Sequence, residues 1–337
     1  MTGPNLRGPD SRGPDSRGPS VVAFGGGHGL SASLEALRRV TDDLTAVVTV
    51  ADDGGSSGRL RAELGALPPG DLRMALAALA GDDDWGRLWA DLAQHRFGGD
   101  GSLSGHPVGN LIITALADQL GEPVAALDMV GRLLGAAGRV LPVATEPLEI
   151  VADVVGLDPD DPGAPVEVRG QVAVATTAGR VVAVRVEPPE PPACVEAVQA
   201  VMEADWVVLG PGSWFTSVIP HLLVPEMTKA ITGSRARRVV ALNLSPQAGE
   251  TDGFSPETHL EVLAAHAPDL ELDVVIADRS AVPEGERGLR DAAKGFGAIL
   301  VIADVALGDG TPRHDPERLA AVYRDIFTNH GGDAAWR

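Results

Sequence analysis

The chain has 337 residues, 44% hydrophobic and only 4% aromatic, with a formal net charge of -20, which suits one large or two modest soluble domains around an aliphatic core. So acidic a chain is a poor partner for nucleic-acid phosphates or an anionic membrane surface, and any anionic ligand must be held locally by backbone N–H groups, a few arginines or a metal. Cys194 is the only cysteine, which excludes an intrachain disulfide or thiolate metal site; with no apolar run long enough for a membrane span and no signal-peptide core, a reducing cytoplasm is expected.

Residues 7–19 carry a near-perfect Arg-Gly-Pro-Asp-Ser repeat. The repeat has no apolar side chain to offset the entropy of ordering, so a disordered tail over 1–19 is expected. From Val21 the chain alternates β-branched runs with helical patterns, the signature of a mostly parallel α/β sheet. Leu30, Leu34 and Leu37 mark a first helix face, Leu72, Leu76 and Leu79 a second, and Val124, Leu127 and Leu134 a third. From about 140 to 187 two strand-like runs are separated by Pro- and Asp-rich turns with no clear helix, which reads as a small β-rich insertion. Strands near 205–209, 238–243, 273–277 and 298–303 follow. Leu319, Val322 and Ile326 then define a last amphipathic helix, and the final Gly-Gly-Asp-Ala-Ala stretch is expected to fray.

The loops at the strand ends carry the chemistry. Val21–Phe24 runs into Gly25-Gly26-Gly27-His28-Gly29-Leu30, Ala46–Val50 into Asp52-Asp53-Gly54-Gly55-Ser56-Ser57-Gly58-Arg59, and Trp206–Leu209 into Gly210-Pro211-Gly212-Ser213 with Thr216 and Ser217. In an open parallel sheet such loops converge on one crevice, and helix N-termini there suit phosphate. Four glycines within five positions at 25–29 point to close approach of the backbone to a ligand. Asp52 and Asp53 are placed either to hold Mg²⁺ or to cap the following turn. Ser56, Ser57 and Arg59 add hydroxyls and a guanidinium. Asp71 reads as an N-cap, with Arg73 facing ligand or pairing with Asp52 or Asp53. Gly109 and Asn110 sit at another helix start, Asn243 and Gln247 offer amide edges, and Asp315 with Pro316 caps the last helix beside Arg313. There is no His-Glu-x-x-His and no clear nucleophile–base pair.

Taken together, these segments resemble the YvcK-type gluconeogenesis-factor family within the CofD-like superfamily. Thr49–Arg61, Pro68–Arg73, Gly105–Leu111, Gly138–Pro142, Gly249–Phe254 and Arg313–Asp315 complete the match, which covers about residues 20–327. The resemblance implies a Rossmann-like CofD fold, a mostly parallel sheet with helices on both faces, as a single domain over 20–330. It implies binding of a UDP-sugar, notably UDP-N-acetylglucosamine, by a cytoplasmic regulator that links carbon metabolism to cell-wall synthesis and cell shape, without established catalysis. The related CofD branch transfers phospholactate from a nucleotide donor to a deazaflavin precursor with a metal at the strand-end aspartate. The ligand set carried over is Gly26, Gly27, His28, Gly29, Leu30, Asp53, Gly54, Ser56, Ser57, Arg59, Asp71, Arg73, Gly109, Asn110, Gly210, Gly212, Ser213, Thr216, Ser217, Asn243, Gln247 and Arg313. No cofactor is required on this reading; Mg²⁺ is the one candidate, at Asp52 and Asp53. Partner proteins are expected but not identifiable from sequence, and self-association is left open. Two positions depart from the family: His28 stands where Thr is usual, and Leu244-Ser245-Pro246-Gln247 replaces a Met-Thr-Gln run.

Overall fold

The computed structural model describes residues 18–247, 249–282 and 285–329. The repeat-bearing residues 1–17 and the Gly-Gly-Asp-Ala-Ala stretch lie outside them. At the start of the described chain Thr41 Oγ1 donates to the Pro19 carbonyl at 2.6 Å and Ser20 N–H to Asp205 at 2.9 Å, so the expected tail gives way to anchored chain by Pro19.

Seven parallel strands form the main sheet: β1 (Val21–Gly25), β2 (Leu44–Val48), β3 (Arg139–Pro142), β7 (Trp206–Leu209), β8 (Arg237–Ala241), β9 (Val274–Asp278) and β10 (Ile299–Ala303), in the order β10-β9-β8-β7-β1-β2-β3. Every residue of β1, β7 and β9 is buried. Successive side chains point to opposite faces, so both faces of the sheet must be covered, as the unbroken Val, Ile and Leu runs require. The expected helices appear as α1 (Gly27–Leu37), α3 (Pro69–Ala78), α6 (Pro123–Leu134) and α12 (Pro316–Asn329). Leu30, Leu34, Leu37, Leu72, Leu76 and Leu127 are each at most 1% exposed, so the apolar periodicity marked the core-facing stripes. Helices α2 (Gly55–Leu64), α4 (Asp84–Gln94) and α5 (Val108–Leu120) fill the long β2–β3 connection, and α8 (Val195–Glu203), α9 (Pro225–Gly233), α10 (Pro256–His266) and α11 (Arg287–Gly295) cover the second half.

The β-rich insertion is real, but its limits differ from those read in sequence. Residues 139–142 pair with β2 as the parallel sheet's edge, Ala46 opposite Val140. The antiparallel sheet comprises β4 (Glu149–Val155), β5 (Val166–Arg169) and β6 (Arg180–Glu187), with β4 in the centre. A short helix, α7 (Gln171–Ala175), interrupts the stretch that reads as helix-free; five residues are too few to show a helical period. Ile150, Ala152 and Val154 are fully buried and belong to the same hydrophobic cluster as the main sheet, so the insertion shares one core with it.

Chain order sets the site. From β1 the chain steps outward to β2 and β3, then returns to pair β7 with the other side of β1, Val21 opposite both Leu44 and Trp206. Strand order reverses between β1 and β7, and ligand crevices open at such a switch point.

Candidate functional site

A cleft of about 840 Å³ lies outside the carboxyl ends of β1, β7 and β8. Its floor is the first turn of α1. Gly26, the extended N-cap, offers no capping side chain, and the first intrahelical bond runs from Leu30 N–H to the Gly26 carbonyl. The N–H groups of Gly27, His28 and Gly29 therefore have no intrahelical acceptor, and they sit at the positive end of the helix dipole. Gly27 holds φ +57°, a left-handed conformation that only glycine adopts without strain. Gly29 has another reason: a Cβ there would lie 2.6 Å from the Gly212 Cα. The α1 turn and the β7 loop thus touch backbone to backbone.

That β7 loop, entered through a cis Gly210–Pro211 peptide, continues into a π-helical turn, Trp214–Val218. The sequence offers this turn as a second phosphate-binding N-terminus; the structure has already filled it. Glu250, 4% exposed, accepts the Phe215 and Thr216 N–H groups at 2.7 and 2.8 Å. Burial pushes the Glu250 carboxyl up while those N–H donors pull it down. Asn243 likewise spends its amide on the loop, accepting the Gly212 N–H at 3.0 Å and donating to the Gly212 carbonyl at 2.8 Å. Its Nδ2 also reaches Gln247 Oε1 at 3.3 Å.

On the β2 side, Asp71 lines the cleft from the first turn of α3. It is not the N-cap read in sequence: Pro68 takes that position, and Pro69 starts the helix, as a residue without an N–H readily does. The Asp71 carboxyl is pushed up to about 7, first by burial and then by the charge of Asp52, against the Gly27 N–H and Arg73, which pull it down. Asp52 Oδ1 accepts the Gly54 N–H at 2.9 Å. Asp53 turns the other way: its Oδ1 accepts the Val172 N–H of α7 at 3.0 Å. The adjacent pair therefore diverges, and the carboxylate that faces Asp52 electrostatically is Asp71. Among the described residues no group of three or more His, Cys, Asp or Glu is arranged to hold a metal ion. Mg²⁺ binds through one or two carboxylates plus phosphates and waters, and Asp52 and Asp71, whose charges act on one another, fit such an ion better than Asp52 with Asp53, which turns to Val172.

Of the expected ligand residues, Gly26, Gly27, His28, Gly29, Asp71, Gly212, Ser213, Ser217, Asn243, Gln247 and Arg313 line the cleft. Arg313, 64% exposed, pairs with Asp309 at 2.9 Å at the rim. Others lie behind it. Leu30 is core, Gly210 opens the β7 loop at φ +72°, Gly54 packs against Val172, and Thr216 is tied to Glu250. Ser57 accepts the Gly70 N–H. Arg59 binds the Ser104 carbonyl at 2.7 Å. Arg73 does not pair with Asp53; it donates to Asn110 at 2.9 Å, Asn110 donates to Ser56 at 3.0 Å, and Ser56 meets His106 Nδ1 at 2.7 Å. Burial, more than nearby Arg96, lowers the Arg73 guanidinium to about 10. Gly109 lets α5 approach, since a Cβ there would sit 2.9 Å from the Ala93 carbonyl. This buried network braces α2, α3 and α5 beneath the cleft. Sequence reasoning missed Gln171, Glu35 and His314 on the lining, and Glu250 below it. Only the Gly-Glu-Thr-Asp-Gly motif hinted at Glu250.

The fold and switch-point cleft define a Rossmann-like α/β protein, and the chain belongs to the CofD family: the family model described as 2-phospho-L-lactate transferase CofD matches residues 21–304. Within it, similar proteins carry the name gluconeogenesis factor. A Mycobacterium tuberculosis protein named "Putative gluconeogenesis factor" is 59% identical over 314 residues, covering 93% of this chain and 91% of that one. The "Gluconeogenesis factor" of Listeria monocytogenes is 38% identical over 319 residues, covering 92% and 96%. A crystal structure of a UPF0052-family protein from Bacillus halodurans superposes with a TM-score of 0.81 at 32% identity, covering 91% of this chain and 98% of that one.

Proposed function

We propose that the protein is a cytoplasmic regulator that binds a nucleotide sugar of the UDP-N-acetylglucosamine type in the switch-point cleft and passes that signal to partner proteins, linking carbon metabolism to cell-wall synthesis and cell shape. The observation that carries this reading is the first turn of α1, which faces the cleft with the His28 and Gly29 N–H groups lacking an intrahelical acceptor, while Asp71 takes that of Gly27. In a chain of net charge -20 it is the built-in anion site: the diphosphate takes the His28 and Gly29 N–H groups, and Arg313 supplies counter-charge from the rim. Glu250 closes the neighbouring turn to phosphate. The cleft lining includes no Phe, Tyr or Trp among the described residues, which suits a sugar nucleotide better than a stacked flavin.

A second reading is a CofD-type transferase that moves a phospholactate-type group from a nucleotide donor to a deazaflavin precursor. The Asp52–Asp71 pair favours it: Mg²⁺ held there would neutralise phosphate charge. The two readings separate in a thermal-shift panel of UDP-sugars, GDP, NAD and deazaflavin, each with and without Mg²⁺. A ligand at a hundred times its Kd stabilises by about 2.7 kcal/mol. Stabilisation by UDP-sugars alone, with no turnover, is expected. Stabilisation by GDP and deazaflavin, with Mg²⁺-dependent phospholactate transfer, would replace the regulator with the transferase.

A further inference from the structure

The insertion reaches the cleft through α7. Gly170, at φ +93°, turns the chain from β5 back toward the β2 loop, and a Cβ there would collide with Asp53 Oδ2. The Asp53 carboxylate then takes the Val172 N–H across 119 positions of chain. A second contact lies beside it, where a Cβ at Gly54 would come within 2.9 Å of Val172 Cγ2. This latch leaves Gln171 on the cleft wall. Its Oε1 is buried and meets no hydrogen-bond donor in the protein. Buried carbonyl oxygens are rarely left so, and Gln171 is one of the residues that line the cleft.

The two ends of the cleft differ in chemistry. Beyond β8 and β10 the walls are Leu244, Pro246, Leu307 and Pro312, with the amide of Gln247. Flat apolar walls with an amide edge suit a planar base. At the β2 end stand Asp71 and Gln171, polar groups that suit a ring rich in hydroxyls. A nucleotide sugar laid across the α1 turn, with its diphosphate at the helix N-terminus, points its sugar at the β2 end.

Resting on the nucleotide-sugar reading above, we propose that Gln171 determines sugar specificity by accepting a hydrogen bond from a hydroxyl or amide N–H of the sugar, and that Asp53 is the positioning residue that holds Gln171 there through the Val172 N–H. Asp53 is thereby a latch rather than a metal ligand.

The test is calorimetric titration of the full chain with UDP-N-acetylglucosamine and with UDP alone. Gln171→Met keeps the length and removes the amide. It is expected to weaken UDP-N-acetylglucosamine about tenfold, the scale of one hydrogen bond left unmade, and to leave UDP within about twofold. Asp53→Ala is expected to reproduce that selective loss. Asp53→Asn, which keeps the acceptor oxygen, is expected to restore the wild-type preference, and UDP affinity reports that each variant is folded. Unchanged UDP-N-acetylglucosamine affinity in Gln171→Met, or an equal loss for UDP, would overturn the sugar assignment while leaving the parent reading intact. An Asp53→Asn variant as impaired as Asp53→Ala would overturn the latch. A wild-type protein that binds neither ligand would overturn the parent reading, and this inference with it.

Discussion

Asp71 ties the cleft to the stability of the fold through a titration whose sign can be worked out. Its carboxyl shifts from 3.8 to about 7, chiefly through burial and secondarily through Asp52. Between those values the native protein keeps a proton that the unfolded chain has released, so unfolding free energy falls as pH rises and levels off above about 7. At 1.36 kcal/mol per unit, an interval of roughly 3 units caps the penalty at about 4 kcal/mol. Asp71 keeps a window on the cleft, where water eases the desolvation, so about 2–3 kcal/mol is expected. Asp71→Asn keeps an oxygen for the Gly27 N–H and carries no charge. It should match the wild type near pH 4 and exceed its stability by that amount at pH 8. The buried histidines act in the opposite sense. His221 and His314 are lowered to about 4 by burial, so each contributes stability that is lost as pH falls from 6.5 through 4. The wild-type profile therefore mixes both signs, and the mutant-minus-wild-type difference isolates Asp71. Urea denaturation of both proteins at pH 4, 5, 6, 7 and 8 in EDTA measures it. An offset that stays constant across that range would refute the account.

Three further substitutions probe the site. Gly29→Ala drives a methyl into the backbone of Pro211 and Gly212; a loss of about 1–3 kcal/mol is expected from overpacking, with weaker nucleotide binding, and a melting temperature equal to wild type would contradict the contact. Glu250→Ala strands two buried N–H groups, those of Phe215 and Thr216, at a cost of roughly 2–4 kcal/mol, whereas Glu250→Gln, which keeps one acceptor oxygen, should lose less; denaturant midpoints of the pair decide it. Arg313→Ala should cost roughly 1.5–3 kcal/mol of UDP-sugar affinity, and Asp309→Asn, which frees the guanidinium from its ion pair, should tighten binding a few fold; unchanged affinity in a folded Arg313→Ala would remove Arg313 from the site.

Local pattern was enough to find the layers of this protein. Buried parallel strands are continuous apolar runs, and helices packed on them repeat apolar residues every three to four positions. Val21–Phe24, Trp206–Leu209 and the Leu30–Leu34–Leu37 stripe therefore announced themselves. The strand-end glycines announced the floor of the cleft for the same reason, since backbone that must turn tightly or touch other backbone is written locally as glycine. Pairing over long distances was not written that way. The run at 139–142 is a four-residue strand whose composition suits either sheet, and only its register against β2 assigned it. Asp52 and Asp53 are neighbours in chain, yet one takes the Gly54 N–H two residues on and the other meets Val172, 119 positions away. Glu250 closes a turn 35 positions before it, and Asp71 acquired its high pKa from the groups packed around it. Periodicity encodes which face of an element meets the core, but which carboxylate meets which N–H depends on where distant loops cross, and that crossing exists only once the sheet has assembled.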